Sequence, residues 1–308
     1  MIIGKDTILQ PRRFDISIVG LGKLGAALAS QLEGCTVRGW DVVDTGLDIQ
    51  TDTLYDCIKD TDAIFIVVPS QHFETTVTNI IREYSEHRNW HDAVRVSFIS
   101  FTKGFCGNRL PIQILRRQLP FNPCGVISGP MLSAELYHDT THTVLATSNM
   151  DIFNTSAIAT KMGNLKIYTS NDEIGVTLCG ILKNIYAIGM GTLHDCTDNM
   201  RACFVTGSLN EMRAVIDTDT VLSYAGVGDL LATCYSTKSR NYTYGQRMLR
   251  RHDTNDIMSE GANNIDELIA YLSVDLPIVN AIKSCLMCRS AVPLQTLLYT
   301  RHALTAHP

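Results

Sequence analysis

Two polar side chains interrupt an apolar helical pattern in the second half of the sequence. Lys183 and Asn184 directly follow Gly180-Ile181-Leu182 and precede another apolar stretch. Burial of an unpaired ammonium is costly, so Lys183 needs either a partner or a function. An ammonium held beside a carbonyl oxygen could give up a proton as a hydride reaches the carbon. The alternative is a lysine whose ammonium extends to the surface while its stem stays buried.

A carboxylate further along the chain is a candidate partner for this lysine. Asp229 could pair with a buried ammonium and orient it, and Thr233 lies four residues later, on the same face if the segment is helical. The segment Ser239-Arg240-Asn241 then precedes a helical pattern. A guanidinium and the N–H groups of a helix start both suit a phosphate. The alternative for this segment is a polar loop with a helix cap.

The first half of the chain contains a glycine pattern that is typical of dinucleotide binding. Residues 20–25, Gly-Leu-Gly-Lys-Leu-Gly, match G-x-G-x-x-G, with a strand pattern before them and a helical pattern after them. Gly20 permits the tight turn, Gly22 lets the backbone approach a pyrophosphate, and Gly25 lets the helix pack closely on the strand. The helix N-terminus then binds the pyrophosphate charge.

An acidic residue at the end of the next predicted strand favours NAD as the cofactor. Asp41 lies 21 residues after Gly20. A carboxylate there accepts hydrogen bonds from the adenosine ribose and repels a 2′-phosphate. Arg38 keeps NADP open, although strand alternation predicts that it points away from Asp41. Lys103 follows another predicted strand, where ligands bind in doubly wound sheets; the alternative is a solvated loop lysine.

The elements that must position these residues divide the chain in two. Short apolar, β-branched segments predict strands at 15–19, 36–40, 63–68, 94–100, 125–128 and 143–147. Helical patterns lie between them, at 23–33, 72–87 and 109–118. After residue 171 only helical patterns follow, at 172–190, 198–216, 241–252, 262–273 and 276–288. The sequence therefore predicts an α/β fold: a Rossmann-like, doubly wound parallel sheet in residues 1–170 and an all-helical second domain in residues 171–308.

Composition narrows the class of protein. The chain has 308 residues, 45% of them hydrophobic, and a net charge of −5, which argues against nucleic-acid binding. Its ten cysteines are scattered, which favours buried free thiols in a reducing compartment. The lone Cys285-x-x-Cys288 lacks a second ligand pair, so no metal is expected. No signal peptide is recognised, and the apolar stretches read as shorter than the ~20 residues of a membrane span. We therefore expect a cytoplasmic protein.

Six segments occur in the order and at the spacing of a known family. They are GLGKLGAALA (20–29), VPSQHF (68–73), SFTKGF (100–105), SGPMLSAEL (128–136), GVTLCGILKN (175–184) and AGVGDLLATCYSTKSRN (225–241). With these segments the chain resembles the NAD(P)-dependent glycerol-3-phosphate dehydrogenase family, especially its bacterial branch. The resemblance covers about residues 15–290.

The resemblance implies a role for each matching residue. The catalytic set comprises Lys183, as proton donor or acceptor, with Lys103, Asp229, Asn184 and Thr233. The substrate-binding set comprises Gly129, Ser239, Arg240 and Asn241. The cofactor-binding set comprises Gly20, Gly22, Lys23, Leu24, Gly25, Asp41, Pro69, Lys103, Ser133, Arg240 and Glu260.

The implied reaction is hydride transfer between NAD(H) and C2 of glycerol 3-phosphate or dihydroxyacetone phosphate, by a protein that is expected to form a homodimer. Two departures from the family pattern leave alternatives open. Met131 stands where Ser or Thr is usual, and Gly207 replaces an arginine. The alternatives are a dehydrogenase of another phosphorylated polyol or ketose, and a non-catalytic cofactor-binding homologue.

Overall fold

A seven-stranded sheet forms the centre of the first part of the chain. The computed structural model describes residues 14–87, 94–148, 158, 161–250 and 259–300. Its strands are β1 (Phe14–Val19), β2 (Cys35–Trp40), β3 (Ala63–Ile66), β4 (Ser97–Ser100), β5 (Cys124–Ser128), β6 (Thr141–Thr147) and β7 (Leu165–Ser170). Their order in the sheet is β2-β1-β3-β4-β5-β6-β7.

The prediction of a doubly wound parallel sheet is confirmed for most of the strands, but the antiparallel direction of β6 was not predicted. Strands β1 to β5 run parallel, whereas β6 runs antiparallel to β5, and β7 pairs in parallel with β6. The residues of β3, β4 and β5 are all buried, as expected for strands covered on both faces. Strand β7 was not predicted. It lies at the sheet edge with several exposed residues, so it lacks the continuous apolar pattern of the central strands.

In the described residues of this part of the chain, helices alternate with several of the strands. They are α1 (Lys23–Ala29), α2 (Leu54–Ile58), α3 (Ser70–His87) and α4 (Pro111–Gln118). Helix α1 ends four residues earlier than predicted, because the chain turns through Gly34, at a φ of +65°, to enter β2. Helix α2 was not predicted, and its five residues are too short for a recognisable period.

From Glu173 onward the described residues contain helices and no strand. These are α5 (Glu173–Thr192), α6 (Asp198–Arg213), α7 (Thr218–Val221), a π-helical turn (Tyr224–Gly228), α8 (Asp229–Cys234), α9 (Arg240–Leu249), α10 (Glu260–Leu272), α11 (Pro277–Cys288) and α12 (Val292–Tyr299). The last strand ends at Ser170. Division of the chain into domains 1–170 and 171–308 stays a prediction.

Helix α5 is the core of the helical part. Eighteen of its 20 residues, from Gly175 to Thr192, are buried. By length and composition it could cross a membrane, so the expectation that no apolar stretch reaches this length is wrong. Burial explains the composition, because 94% of its apolar window packs inside the protein. Glycines let neighbouring helices approach it: a Cβ on Gly261 of α10 would lie 2.5 Å from the carbonyl oxygen of Asn184.

A buried carboxyl ties α5 to two other helices. Glu211 of α6 accepts hydrogen bonds from the Tyr186 hydroxyl (3.1 Å) and from the backbone N–H groups of Ile278 and Val279 at the start of α11. Burial raises the pKa of Glu211 to about 7, although these hydrogen bonds lower it. The position of the helix that carries Lys183 therefore depends partly on a carboxyl that titrates near neutrality.

This shift predicts a pH-dependent contribution to stability. Because the pKa of Glu211 in the folded state lies above its ordinary value of 4.5, protonation of this carboxyl stabilises the folded state. This stabilisation is fully present below about pH 4.5. It is lost as the pH rises through about 7. Between pH 5 and pH 8, we expect the free energy of unfolding of the wild type to fall by roughly 2–3 kcal/mol more than that of Glu211→Gln. Urea denaturation at both pH values measures this difference.

The control is Glu33→Gln, which removes an exposed carboxyl. It should keep the pH dependence of the wild type. An equal pH dependence in Glu211→Gln would show that this carboxyl does not titrate between the two pH values.

Candidate active site

The centre of the site is one buried carboxylate that binds two ammonium groups. Asp229, which is 1% exposed, accepts a hydrogen bond from Lys103 Nζ on Oδ2 (2.7 Å) and from Lys183 Nζ on Oδ1 (3.0 Å). The three residues come from the loop after β4, from α5 and from the first turn of α8. The predicted pairing of Lys183 with Asp229 is therefore present in the structure, and Lys103 shares the same partner.

A hydroxyl and a backbone carbonyl complete the contacts of the two lysines. Thr233, one turn after Asp229 in α8, accepts from Lys183 Nζ at 2.9 Å and lies 3.3 Å from Asp229 Oδ1. Lys103 Nζ also donates to the carbonyl oxygen of Gly129 at 3.0 Å. Gly129 follows β5 with a φ of +146°, a backbone conformation that residues other than glycine rarely adopt. The turn after β5 thus presents its carbonyl to Lys103.

Burial and charge act in opposite directions on this cluster. Burial lowers the pKa of Lys103 to about 8, against the opposing effect of the Asp229 carboxylate. Burial alone would raise the pKa of Asp229, but the charges of Lys103 and Lys183 outweigh it and hold that pKa below its usual range. With Asp229 ionised and both lysines protonated, the cluster has a net charge of +1. Such a cluster suits a substrate that is anionic or that becomes so during the reaction.

The glycine loop has the local geometry that the sequence predicts. Gly20 has a φ of +102°, and a Cβ there would lie 2.5 Å from the carbonyl oxygen of Val67. A Cβ on Gly25 would overlap the carbonyl oxygen of Gly20. In contrast, a Cβ placed on Gly22, which is exposed at the start of α1, would meet no described atom within 4 Å beyond its own neighbours along the chain. The open space at Gly22 fits a pyrophosphate group, which needs close access to the backbone at the helix start.

The acidic residue after β2 is held by this loop. Asp41 Oδ2 accepts a hydrogen bond from the backbone N–H of Leu21 at 2.7 Å. Residues 41–50 contain three aspartates and no lysine or arginine. Arg38 donates instead to the carbonyl oxygens of Cys57 (3.1 Å) and Asp60 (2.6 Å). The strand alternation therefore directs Arg38 away from Asp41, as the sequence predicts.

The remaining predicted cofactor residues differ in their exposure. Lys23 and Pro69 are exposed, whereas Leu24 and Ser133 are partly buried. Pro69 precedes Ser70, whose hydroxyl would lie 2.8 Å from a Cβ on Gly104, next to Lys103. Their assignment to the cofactor stays a prediction.

A second polar group extends from α5 to the starts of α9 and α10. Asn184 follows Lys183 and its Nδ2 donates to Glu260 Oε2 at 3.4 Å. Glu260 Oε1 lies 3.9 Å from Arg240 Nη2. The Arg240 side chain is 64% exposed, so its guanidinium is accessible to a ligand. The structure thus brings together three residues that are separated by up to 76 positions in sequence.

The two neighbours of Arg240 already have structural contacts. Ser239 caps α9 by accepting a hydrogen bond from the backbone N–H of Tyr242 at 3.3 Å. Asn241 Oδ1 accepts from Ser259 Oγ (3.0 Å) and from the backbone N–H of Gly261 (3.1 Å). Both the helix-cap alternative and a role beside Arg240 are compatible with these contacts. Their substrate role stays a prediction.

Sequence reasoning missed two polar residues beside the site. Ser128 Oγ is buried and has no hydrogen-bond partner in the described part of the chain; it faces Gly180 at 3.0 Å from an added Cβ, beside the Lys103 stem. Asn264 of α10 accepts from the backbone N–H of Phe105 at 2.5 Å. Ser128 is the first residue of the segment SGPMLSAEL, and its sequence context gives no sign of an unpaired hydroxyl. Asn264 carries no signal in sequence, because its partner is 159 residues away.

Met131, which departs from the family pattern, is a core residue. It is 9% exposed and packs in an apolar cluster with other buried residues of the sheet. Among the described residues no group of three or more His, Cys, Asp or Glu could hold a metal ion. All ten cysteines are free thiols, and six of them are buried.

Comparisons with known proteins place these features in context. The family model described as the N-terminus of NAD-dependent glycerol-3-phosphate dehydrogenase matches residues 41–153, and the model of its C-terminus matches residues 172–294. The N-terminal match begins at Asp41, after the glycine loop.

Curated relatives are similar over most of the chain. The glycerol-3-phosphate dehydrogenase [NAD(P)+] of Pseudomonas aeruginosa is 31% identical over 295 residues, 82% of each chain. The enzyme of the same name from Psychrobacter arcticus is 35% identical over 228 residues, which cover 68% of this chain and about half (51%) of that one. The solved glycerol-3-phosphate dehydrogenase of Coxiella burnetii superposes with a TM-score of 0.82 at 26% identity, covering 94% of this chain and all of that one.

Loss of the negative charge of Asp229 should lower the pKa of Lys103. In Asp229→Asn the burial of Lys103 is kept while the opposing charge is removed, so the pKa of Lys103 should fall below its wild-type value of about 8. The pH dependence of Lys103 acetylation by acetic anhydride, followed by peptide mass spectrometry, measures this shift without any substrate.

Asp266→Asn is the matched control, because it removes the carboxylate partner of Lys283 on the surface. It should leave the titration of Lys103 unchanged. An unchanged titration in Asp229→Asn would mean that the carboxylate does not support the charge of Lys103.

Proposed function

We propose, since this chain belongs to the NAD-dependent glycerol-3-phosphate dehydrogenase family, that it transfers a hydride between NAD(H) and C2 of dihydroxyacetone phosphate or glycerol 3-phosphate. Family membership confirms the resemblance drawn from the six sequence segments. The observation that carries the proposal for this chain is the pair of buried lysines on Asp229. These ammonium groups are suitably placed to donate a proton and to stabilise negative charge during a reaction.

Lys183 is the proposed proton donor in the direction of reduction. NADH held by the glycine loop would supply the hydride that reduces C2 of the ketone, and negative charge would then develop on the former carbonyl oxygen. Lys183 transfers a proton from Nζ to that oxygen and is left as a neutral amine, which regains a proton from solvent. Asp229 and Thr233 hold Nζ in place during the transfer. Proton transfer by a positioned side chain contributes about 10²–10⁴-fold.

Lys103 provides a second positive charge. Its ammonium is fixed by Asp229 and by the carbonyl oxygen of Gly129, so it needs no reorganisation when negative charge develops. Because burial lowers the pKa of Lys103 to about 8, this charge is present at neutral pH and is lost in mildly alkaline solution. The rate of reduction should therefore decline above about pH 8.

Arg240 is the proposed ligand of the substrate phosphate. Its exposed guanidinium lies at the first position of α9, where the helix N-terminus adds partial positive charge. Glu260 lies 3.9 Å from it and limits its range of positions. Asn184, which contacts Glu260 and follows Lys183, connects this anion site to the proton donor.

The glycine loop and Asp41 are the proposed cofactor site. The N–H groups at the start of α1 would bind the pyrophosphate, and Asp41 would accept hydrogen bonds from the adenosine ribose. A 2′-phosphate would instead meet the carboxylates of residues 41–50 without a nearby basic residue on that loop. These observations support NAD as the preferred cofactor.

The location and assembly of the protein are also proposals. Ten free thiols suit a reducing compartment such as the cytoplasm. A homodimer is expected from the helical second half, where exposed apolar residues such as Met287 and Val292 are available for contact.

Turnover with each cofactor tests the activity directly. NADH oxidation with dihydroxyacetone phosphate at pH 7 should be rapid, and NADPH should be at least about 10-fold less effective in kcat/KM, a difference of about 1.4 kcal/mol. Asp41→Ser should narrow this preference, because it removes the charge that opposes a 2′-phosphate. Equal use of both cofactors by the wild type would contradict the role of Asp41.

Replacement of the proposed proton donor separates catalysis from binding. Lys183→Ala should lower kcat by roughly 10²-fold or more while the Kd for NADH, measured by fluorescence titration, changes little. Lys283→Ala, which breaks the surface pair with Asp266, is the matched control and should keep wild-type turnover. An active Lys183→Ala variant would refute the assignment of Lys183.

A further inference from the structure

Three partly exposed rings form a cluster at the side of the sheet, here called the aromatic stack: His142 of β6, Tyr168 of β7 and Tyr224 of the π-helical turn. The ring centroids of His142 and Tyr224 are 4.9 Å apart with an interplanar angle of 24°. Tyr168 lies 5.0 Å from Tyr224 and 5.7 Å from His142. The Tyr168 hydroxyl also lies 3.2 Å from His142 Nδ1. The stack therefore joins the last two strands to the helical part of the chain.

The ring of Tyr224 belongs to the turn that delivers Asp229. The π-helical turn spans Tyr224–Gly228, and Asp229 follows it as the first residue of α8. The N–H of Gly228 donates to the carbonyl oxygen of Ser223 across five residues (3.3 Å). A Cβ on Gly228 would lie 3.7 Å from the Tyr224 ring. Turns of this type are rare and concentrate at functional sites.

The other side of the stack contacts the turn that holds Lys103. The carbonyl oxygen of His142 lies 3.1 Å from the point where a Cβ of Gly129 would stand. The hydroxyl of Thr141, the preceding residue, donates to the carbonyl oxygen of Pro130 at 2.6 Å. Since Gly129 and Asp229 are the two acceptors of Lys103 Nζ, His142 contacts the segments of both: one through its backbone and one through its ring.

We propose that the aromatic stack is a positioning device for catalysis, which clamps the π-helical turn to β6 and β7 and so fixes the Asp229 carboxylate between Lys103 and Lys183. This inference rests on the proposed function, because it gives the stack a role in the same lysine cluster. None of the three rings touches the reacting atoms; they act through Asp229.

The exposure of the rings distinguishes this role from ordinary core packing. Tyr168 is 49% exposed and Tyr224 is 39% exposed, whereas the largest core side chains are below 2%. Truncation of Tyr224 therefore leaves no enclosed void and should cost little stability. Its effect should appear instead in the charge balance of the cluster, since a displaced Asp229 leaves both ammonium groups with weaker compensation.

The test compares Tyr224→Ala with Tyr224→Phe, which keeps the ring. Tyr224→Ala should lower kcat by about 10- to 100-fold, the effect expected for a displacement of about 1 Å in a catalytic group. Its KM for NADH should change little. The alkaline limb of the kcat profile should move to lower pH, because Lys103 loses part of its counter-charge. Tyr224→Phe should stay close to the wild type in all three measurements.

Two controls separate positioning from general damage. Tyr55 of α2 stacks on His87 of α3, with ring centroids 4.4 Å apart, and neither residue belongs to the aromatic stack. Tyr55→Ala removes this ring and should leave kcat and its pH profile unchanged. In a double-mutant cycle, Tyr224→Ala should cause little further loss once Asp229→Asn is present, because both changes act on the same carboxylate. His142→Ala provides a second variant if Tyr224→Ala does not fold.

Acetylation of Lys103 as a function of pH makes the result independent of turnover. If the wild type does not oxidise NADH with dihydroxyacetone phosphate, the proposed function is wrong, and a lower titration midpoint of Lys103 in Tyr224→Ala would still support the stack. The inference would be overturned if Tyr224→Ala left unchanged both the titration midpoint of Lys103 and the alkaline limb of the kcat profile. It would also be overturned if Tyr224→Ala lowered kcat by the same factor in the Asp229→Asn variant as in the wild type.

Discussion

The burial of one carboxylate between two ammonium groups is the interaction on which the site depends. A buried charge without a partner is costly, and here three charges are removed from water together, so each partner makes the burial of the others tolerable. The charges do not balance, because the two ammonium groups of Lys103 and Lys183 both bind the single carboxylate of Asp229. The surplus positive charge is therefore fixed before substrate arrives. Such preorganised charge stabilises developing negative charge without reorganisation during the reaction.

The fold serves this interaction by bringing distant segments to one edge of the sheet. Lys103 and Asp229 are 126 residues apart, and Lys183 and Asp229 are 46 apart. Lys103 follows β4 and Gly129 follows β5, at the carboxyl ends of neighbouring parallel strands. Helix α5 passes this edge and supplies Lys183, and the π-helical turn supplies Asp229. Correct geometry thus requires that the sheet and the helical part form together.

Sequence reasoning predicted the central contact between Lys183 and Asp229 because buried charge leaves a strong signal. An apolar helix that contains a lysine demands a carboxylate, and the glycine loop demands an acid after the next strand; both partners were found. It missed β7, whose half-exposed residues show no buried period, and the π-helical turn, for which no sequence rule exists. It also gave Asn241 a ligand role without foreseeing its bonds to Ser259 and Gly261. Contacts between residues far apart in sequence, such as Asn264 with Phe105, depend on tertiary packing that local patterns do not encode.

The burial of nearly all of α5 has a consequence for synthesis of the chain. Apart from Lys183 and Asn184 its buried residues are mostly apolar, and the helices α9, α10 and α11 that pack against it are translated after it. Roughly a hundred residues separate the end of α5 from the end of α11, and at about 5–20 residues per second they take on the order of 5–20 s to appear. During that interval this long apolar helix has been synthesised without the later helices that pack against it. The helical half therefore reaches its native packing only after α11 has been synthesised.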